Sequence, residues 1–331
     1  MKNKIFKLLF ITMLLMISCD KQDNSIKKLE KIKSITKLSE DTFLIKIRDM
    51  QMAGNYLYLS DYEANRILIL DSNFNLIRSF GRLGSGPGEF RGAGYLQMYN
   101  DSIYVVSVGV KRMNIYNTEG EFKRSFPLDP TVWASSKFVI DQFENFYFSS
   151  LTNKNFPMIK CDNNGILIKG FGKWIPYKNT QEKLAINEMD LFLYGNKILV
   201  ITHGSPVINI YSLDGRYIES FSLESNLFVQ RRLRFAKKEI SKLTTKRAIT
   251  YELFWYGSIF NNKLYLLLVD FDKSPGTGQN KILVVDLNSK KIIKTFLLDS
   301  GGWYDSFTVA GNKLIAFKSG KYSELQIFII N

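Results

Sequence analysis

The chain repeats itself. Residues 55–80, NYLYLSDYEANRILILDSNFNLIRSF, align without gaps on residues 101–126, DSIYVVSVGVKRMNIYNTEGEFKRSF. Tyr58 pairs with Tyr104, Arg66 with Arg112 and Phe80 with Phe126, each at an offset of 46. Each unit reads as an alternating strand, a short loop, a second strand, a polar turn and a third strand closing in Ser-Phe. The pattern recurs at 145–172, 196–221, 262–296 and 312–331, which makes six units. Such a unit cannot bury its own faces and must stack on its neighbours. The turns NTEGEF, DNNGIL and LDGRYI place Gly120, Gly165 and Gly215 where a hairpin needs positive φ. LNSKKI has no glycine, which predicts a looser turn. Short antiparallel strands at this spacing indicate an all-β, six-bladed propeller rather than a sandwich. The last unit stops after ELQIFII and lacks an outer strand, while a spare strand lies at residues 28–38. Closure of the ring by that N-terminal strand would remove an open edge. Residues 43–54 then form the inner strand of the first blade, and the propeller spans 28–331.

The first residues are MKNKIFKLLFITMLLMISCD. Lys2, Lys4 and Lys7 precede an apolar run over 8–18, too short to span a bilayer and suited to a signal peptide. Ser18 and Cys19 close the segment LMISC, which resembles the lipobox of bacterial lipoproteins. That resemblance implies cleavage before Cys19 and a diacylglycerol on its thiol, with 19–27 as a lipidated, polar tether. Cys161 is the only other cysteine, so lipidation of Cys19 leaves no intramolecular disulfide. The formal charge of +14 falls to +11 without the three signal lysines. Such a surplus suits an anionic neighbour, either a membrane surface or an acidic partner. Nucleic acid is not expected as a partner of an exported chain. The expected address is the cell envelope, at the outer membrane and facing the periplasm or the surface, with the protein a monomer.

The stretch SFGRLGSGPGEFRG, residues 79–92, carries five glycines. A phosphate loop needs a lysine followed by Ser or Thr, then a helix. Here Glu89 and Phe90 follow Gly88, Pro87 removes a backbone donor, and the flanking segments both read as strand. The loop is therefore a joint between the outer strand of one blade and the inner strand of the next. Arg82, Glu89 and Arg91 remain candidates for lining a binding face. This segment, together with LYLSD ending in Asp61 and RILILD at 66–71, resembles the six-bladed β-propeller lipoproteins of Bacteroidota, within the NHL-like and TolB-like superfamily. The resemblance covers 28–331 and implies an exported, ring-shaped, usually non-catalytic protein. It names no ligand.

His203 is the single histidine, which excludes a multi-histidine metal site. Its surroundings, VITHGSPV, offer only Ser205 as a nucleophile, so a strand-end histidine bonded locally is the leading reading. Asp61 and Asp270 end equivalent second strands, and strand ends of this kind can converge on a propeller channel. Two carboxylates there could hold calcium or act as acid and base, though no cofactor is required. Trp133, Trp174 and Trp303 lie near blade junctions, where they either pack or stack on a sugar ring.

Phe221 and Phe296 end successive units but stand 75 apart instead of 46, so an insertion separates the fourth and fifth blades. Residues 224–250 have helical spacing at Leu233, Ala236, Ile240 and Leu243. Arg231, Arg232, Lys237 and Lys238 crowd the same segment as candidate contacts to an anionic surface. Two function classes stay open at this point. One is a non-catalytic binding or scaffolding module for a glycan, a peptide or an envelope protein. The other is a channel-centred hydrolase or lyase, with calcium as its candidate ion. Several carboxylates converging at one channel mouth would favour the second.

Overall fold

The computed structural model describes residues 26–240, 252–270, 278–300 and 302–330. Cys19 and most of its expected tether therefore lie outside the described residues. Blades one to four are four-stranded antiparallel sheets, each built from consecutive segments. Blade one runs through Ile47–Ala53, Tyr56–Asp61, Arg66–Leu70 and Leu76–Phe80. Blade five has the inner strand Phe254–Phe260 and the outer strand Lys291–Leu297. Blade six contains Trp303–Ala310, Lys313–Ser319 and Glu324–Ile329. Its fourth strand is Glu30–Ile35, paired antiparallel with Glu324–Ile329, so the N-terminus closes the ring. Strand pairing starts two residues before the expected 28: Ile26–Lys28 pairs parallel with the outer strand of blade five. Ile26 and Lys27 thus belong to the sheet and not to the tether.

Alternation along each strand builds the core between blades. In the second strand of blade one, Leu57 and Leu59 face blade six, packing with Ile315, Phe317, Leu325 and Ile327. Tyr58, between them, faces blade two with Ile103, Val105 and Tyr116. Each such buried aliphatic side chain stabilises the ring by about 1.5–3 kcal/mol.

The repeated Ser-Phe ending has a physical cause. The turn glycine of each of blades two, three and four has φ of +83, +80 and +77°. The terminal phenylalanine of the preceding blade occupies the space where a Cβ would stand: Phe80 at Gly120, Phe126 at Gly165 and Phe171 at Gly215. In blade five the glycine-free turn is held by Asp286, which accepts from Ser289 N, while Lys290 takes φ +58°.

The insertion between blades four and five forms the helix Leu227–Ile240, and residues 241–250 of the expected stretch, Leu243 included, lie outside the described residues. A second helix, Thr180–Asn187, was not apparent in the sequence pattern. Asn179 caps it by accepting from Glu182 N at 2.9 Å, and Glu182 in turn accepts from Lys178 N. Cys161 is buried at a strand end with its thiol pushed up to about 12, which keeps it a small hydrophobe. No helix among the described residues is long and apolar enough to cross a membrane.

Candidate functional site

Six inner strands surround the channel, and each ends in a hairpin residue of positive φ: Gly54, Asn100, Glu144, Gly195, Asn261 and Gly311. Counting back five residues gives Asp49, Tyr95, Asp190, Tyr256 and Ser306 in five blades, while the longer hairpin of blade three, where Val139 pairs with Tyr147, puts Lys137 at that level. This shared register forms one layer of the channel. Asp49 is buried and accepts from Leu96 N at 2.9 Å, from Lys137 Nζ at 2.6 Å and from the Tyr256 hydroxyl. Lys137 Nζ also lies 4.1 Å from the Tyr256 ring centroid. These contacts plug the channel. A cavity of about 460 Å³ extends from the plug toward the hairpin face, touching Asp49, Lys137 and Tyr256 but not Arg48, Glu188 or His203.

Those three residues lie on the other side, where the inner strands begin. Backbone hydrogen bonds stitch their segments together. His203 N donates to Glu188 O at 2.8 Å, and Leu253 N donates to His203 O at 2.5 Å. Glu188, His203 and Glu252 are thereby brought side by side, with one potential ligand atom from each within 4.8 Å of the others. Trp133 Nε1 donates to Glu188 Oε1 at 3.0 Å. His203 Nε2 stands 3.2 Å from Asp190 Oδ2, an ion-pair distance without hydrogen-bond alignment. Arg48 reaches across to donate to Ser135 O at 2.7 Å, and its guanidinium lies 5.0 Å from the Tyr95 ring centroid.

The electrostatics follow from this crowding. Burial alone would lower the His203 imidazolium, but Asp190, Glu188 and Glu252 push it up to about 9. Burial raises Asp190 in isolation, yet His203 and Lys137 beside it hold the carboxyl below its ordinary range. Burial and the neighbouring Glu188 raise Glu252 above the usual range. Burial likewise raises Asp305. Carboxylates and cations are thus crowded together at the mouth, and Glu252 and Asp305, raised by burial, hold their protons more readily than the others.

Of the residues singled out from the sequence, only His203 and Trp133 belong to this mouth. Asp61 and Asp270 do not converge on the channel, because they end second strands and not inner ones. Asp61 is buried against Arg66 at 3.0 Å, and Asp270 is held by Lys281 and Arg231. Arg82, Glu89 and Arg91 are engaged inside the glycine loop: Arg82 bonds Glu89 at 2.9 Å, Glu89 accepts from Gly86 N, and Arg91 donates to Ser85. The loop joins two blades, as expected of a joint. The basic face on the insertion helix is smaller than its sequence. Arg232 is buried and donates to Glu252 O at 3.0 Å, and Arg231 turns to Asp270, leaving Lys237 and Lys238 outward. Trp174 packs under Lys183, whose Nζ is 3.8 Å from the ring centroid, and Trp303 remains exposed.

The sequence reading missed Arg48, Glu188, Asp190, Glu252 and Asp305. The available signal was positional. Channel residues sit at the start of inner strands, one or two per blade, and only a count back from each hairpin turn locates them.

A family model described as a 6-bladed beta-propeller, DUF5128, matches residues 13–256, and the chain belongs to that family. No curated protein matches the sequence. Among solved structures, a Bacteroides fragilis NCTC 9343 protein described as exported is similar with TM-score 0.62 at 15% identity, over 94% of this chain and 97% of that one. A member of the DUF4221 family from Bacteroides vulgatus ATCC 8482 has TM-score 0.55 at 11% identity, covering 91% and 97%. A catalytically inactive virginiamycin B lyase from Staphylococcus aureus, solved with quinupristin, has TM-score 0.53 at 9% identity, covering 92% and 99%. At these identities the likeness is one of fold alone.

Proposed function

We propose that this DUF5128 propeller is a cell-envelope binding module, anchored by lipid on Cys19, that takes a small polar ligand at the strand-start mouth of its channel. The observation that carries the reading is the set of unpaired polar atoms gathered there. Nδ1 of His203 and Oε2 of Glu252 are buried without a hydrogen-bond partner, and Nε2 of His203 faces only Asp190 at 3.2 Å. Each such group costs about 1–3 kcal/mol, so a ring that keeps them together suits a partner that arrives from outside. The carboxylates of Glu188 and Glu252 favour hydroxyl or cationic groups on the ligand, and the half-buried Trp133 ring offers a flat face beside them. A sugar or the amino terminus of a peptide meets both requirements. The lipobox-like LMISC and the fold shared with a Bacteroides protein described as exported support the envelope address.

Acid–base chemistry at the same mouth is the second reading. It is favoured by Glu252, a carboxyl with raised proton affinity lying beside Glu188 and an imidazole. The fold is shared with a virginiamycin B lyase, a likeness that supports weighing this reading.

The test presents soluble protein spanning 20–331, with Cys19 absent, to glycan and peptide arrays. Binding that Arg48→Ala and Glu188→Gln weaken at least tenfold supports the mouth as the site. Binding that both variants retain, or turnover of the bound compound, refutes the binding-module reading. Labelled fatty acid should tag the wild type in cells and not Cys19→Ser; equal labelling removes the anchor.

A further inference from the structure

The mouth holds a second layer of information, independent of any organic ligand. We propose that Glu188, His203 and Glu252 form a binding site for one divalent transition-metal ion of the zinc class. The inference deepens the reading of the mouth as a binding site, and it is separable from that reading in the test below.

Three observations carry it. The donor atoms already lie within 4.8 Å of one another, close enough for one ion to reach all three with side-chain adjustment. Their positions are set by backbone, because the bonds from His203 N to Glu188 O and from Leu253 N to His203 O fix the three segments relative to each other. Finally, His203 is only 4% exposed, its Nε2 faces Asp190 at 3.2 Å, and its Nδ1 has no hydrogen-bond partner. A buried imidazole oriented by one carboxylate, with its other nitrogen free beside two more, is the arrangement that an ion completes.

The surrounding groups fit the requirements of such a site. A ligating histidine is normally oriented by a carboxylate at its other nitrogen. Asp190 stands 3.2 Å from Nε2 and can hold a proton there, which leaves a lone pair on Nδ1. Trp133 fixes Glu188 through Oε1, leaving the second oxygen for the ion. Glu252 Oε2 is the buried atom without a partner. Arg232 pins the backbone of Glu252 from behind. The donor set argues for the class of metal. Calcium takes about six to eight oxygens, and magnesium keeps most of its waters, whereas an imidazole with two carboxylates suits zinc or a neighbouring first-row ion. Three protein ligands leave a coordination position open, through which a hydroxyl or carbonyl of a bound compound would reach the ion. Binding exchanges the imidazole proton for the ion and releases it to solvent.

The single histidine makes the experiment direct. Untagged protein spanning 20–331, stripped with chelator and labelled with 15N-histidine, gives ring-nitrogen signals from His203 alone. Addition of Zn²⁺ should shift one of them and saturate at about one equivalent. Equilibrium dialysis with metal analysis should return the same stoichiometry, and Ca²⁺ at equal concentration should not compete. Glu188→Gln and Glu252→Gln should each weaken Zn²⁺ binding by about tenfold or more while the far-ultraviolet spectrum is unchanged. Unshifted His203 signals at saturating Zn²⁺ overturn the proposal, as does full retention of binding in both variants. The NMR titration needs no variant, so a substitution that fails to fold leaves the question decided. Array ligands that bind chelator-stripped protein unchanged, with no zinc shift, would sink the ion and leave the proposed function standing. Zinc that binds with no array ligand would do the reverse.

Discussion

The contact between each terminal phenylalanine and the next blade's turn glycine can be measured by comparing two alanine substitutions. Gly120 has φ +83°, and a Cβ placed there would meet Phe80 at 2.4 Å. Gly195 has φ +57° with nothing within 4 Å of its Cβ position. Both changes force an L-residue into left-handed backbone, at about 1 kcal/mol. Only Gly120→Ala must also displace a ring, one already packed on Tyr116 at 4.8 Å between centroids. Overpacking of that kind adds about 1–3 kcal/mol. Gly120→Ala is therefore expected to cost about 2–4 kcal/mol and Gly195→Ala about 1 kcal/mol. For a ring of this size 1 kcal/mol moves Tm by roughly 1.5 °C, so the variants should fall by about 3–6 °C and 1–2 °C respectively. Urea unfolding followed by tryptophan fluorescence gives the same comparison as midpoints with equal slopes. If the two variants are destabilised equally, the phenylalanine does not brace the turn and the Ser-Phe ending needs another cause.

Deleting 20–25 should leave Tm within about 1 °C, while deleting 20–38 removes both N-terminal strands and should produce a lower Tm and concentration-dependent association by size-exclusion chromatography; identical monomeric behaviour would refute closure by that strand. Asp141 accepts from Phe143 N, Asn145 and the Tyr147 hydroxyl, and although burial opposes it, these donors hold the carboxyl below its ordinary range. Its stabilising effect is present above the unfolded value of about 4 and is lost as pH falls through the lower folded value, so Asp141→Asn should flatten the acid limb of a Tm–pH curve and cost about 1–3 kcal/mol at pH 7. Arg232→Gln, which removes a buried donor to Glu252 O, should lower stability by about 1–3 kcal/mol in urea, while the exposed Lys237→Gln should stay within about 0.5 kcal/mol; equal midpoints would return Arg232 to the surface.

Architecture was legible in the sequence because it is written in repetition. The offset of 46, the turn glycines and the missing outer strand of the last unit each recur or fail at a predictable place. The channel mouth was not legible for the opposite reason. Channel-facing positions share a register but differ in chemistry from blade to blade, as Asp49, Tyr95 and Asp190 show, so no motif repeats. Glu252 reaches the mouth only through the end of an insertion that breaks the period. Strand-end carboxylates were the visible substitute, and Asp61 and Asp270 proved to be held by cations on neighbouring strands and on the insertion helix. The basic run at 231–238 shows a similar limit: helical spacing was readable, but which arginines turn inward depends on partners distant in sequence.

The closing strand has a temporal consequence. Ile35 pairs with Leu325, so the closing strand, near the start of the chain, must wait for almost its end. At roughly 5–20 residues per second, some 290 residues of synthesis keep that strand single for about 15–60 seconds. A waiting strand with an apolar face would recruit other chains. The segment EKIKSI instead carries Glu30, Lys31 and Lys33, and five of its six residues remain exposed even in the finished ring. Its charge thus serves as a gatekeeper during assembly, keeping the latch soluble until its partner strand emerges.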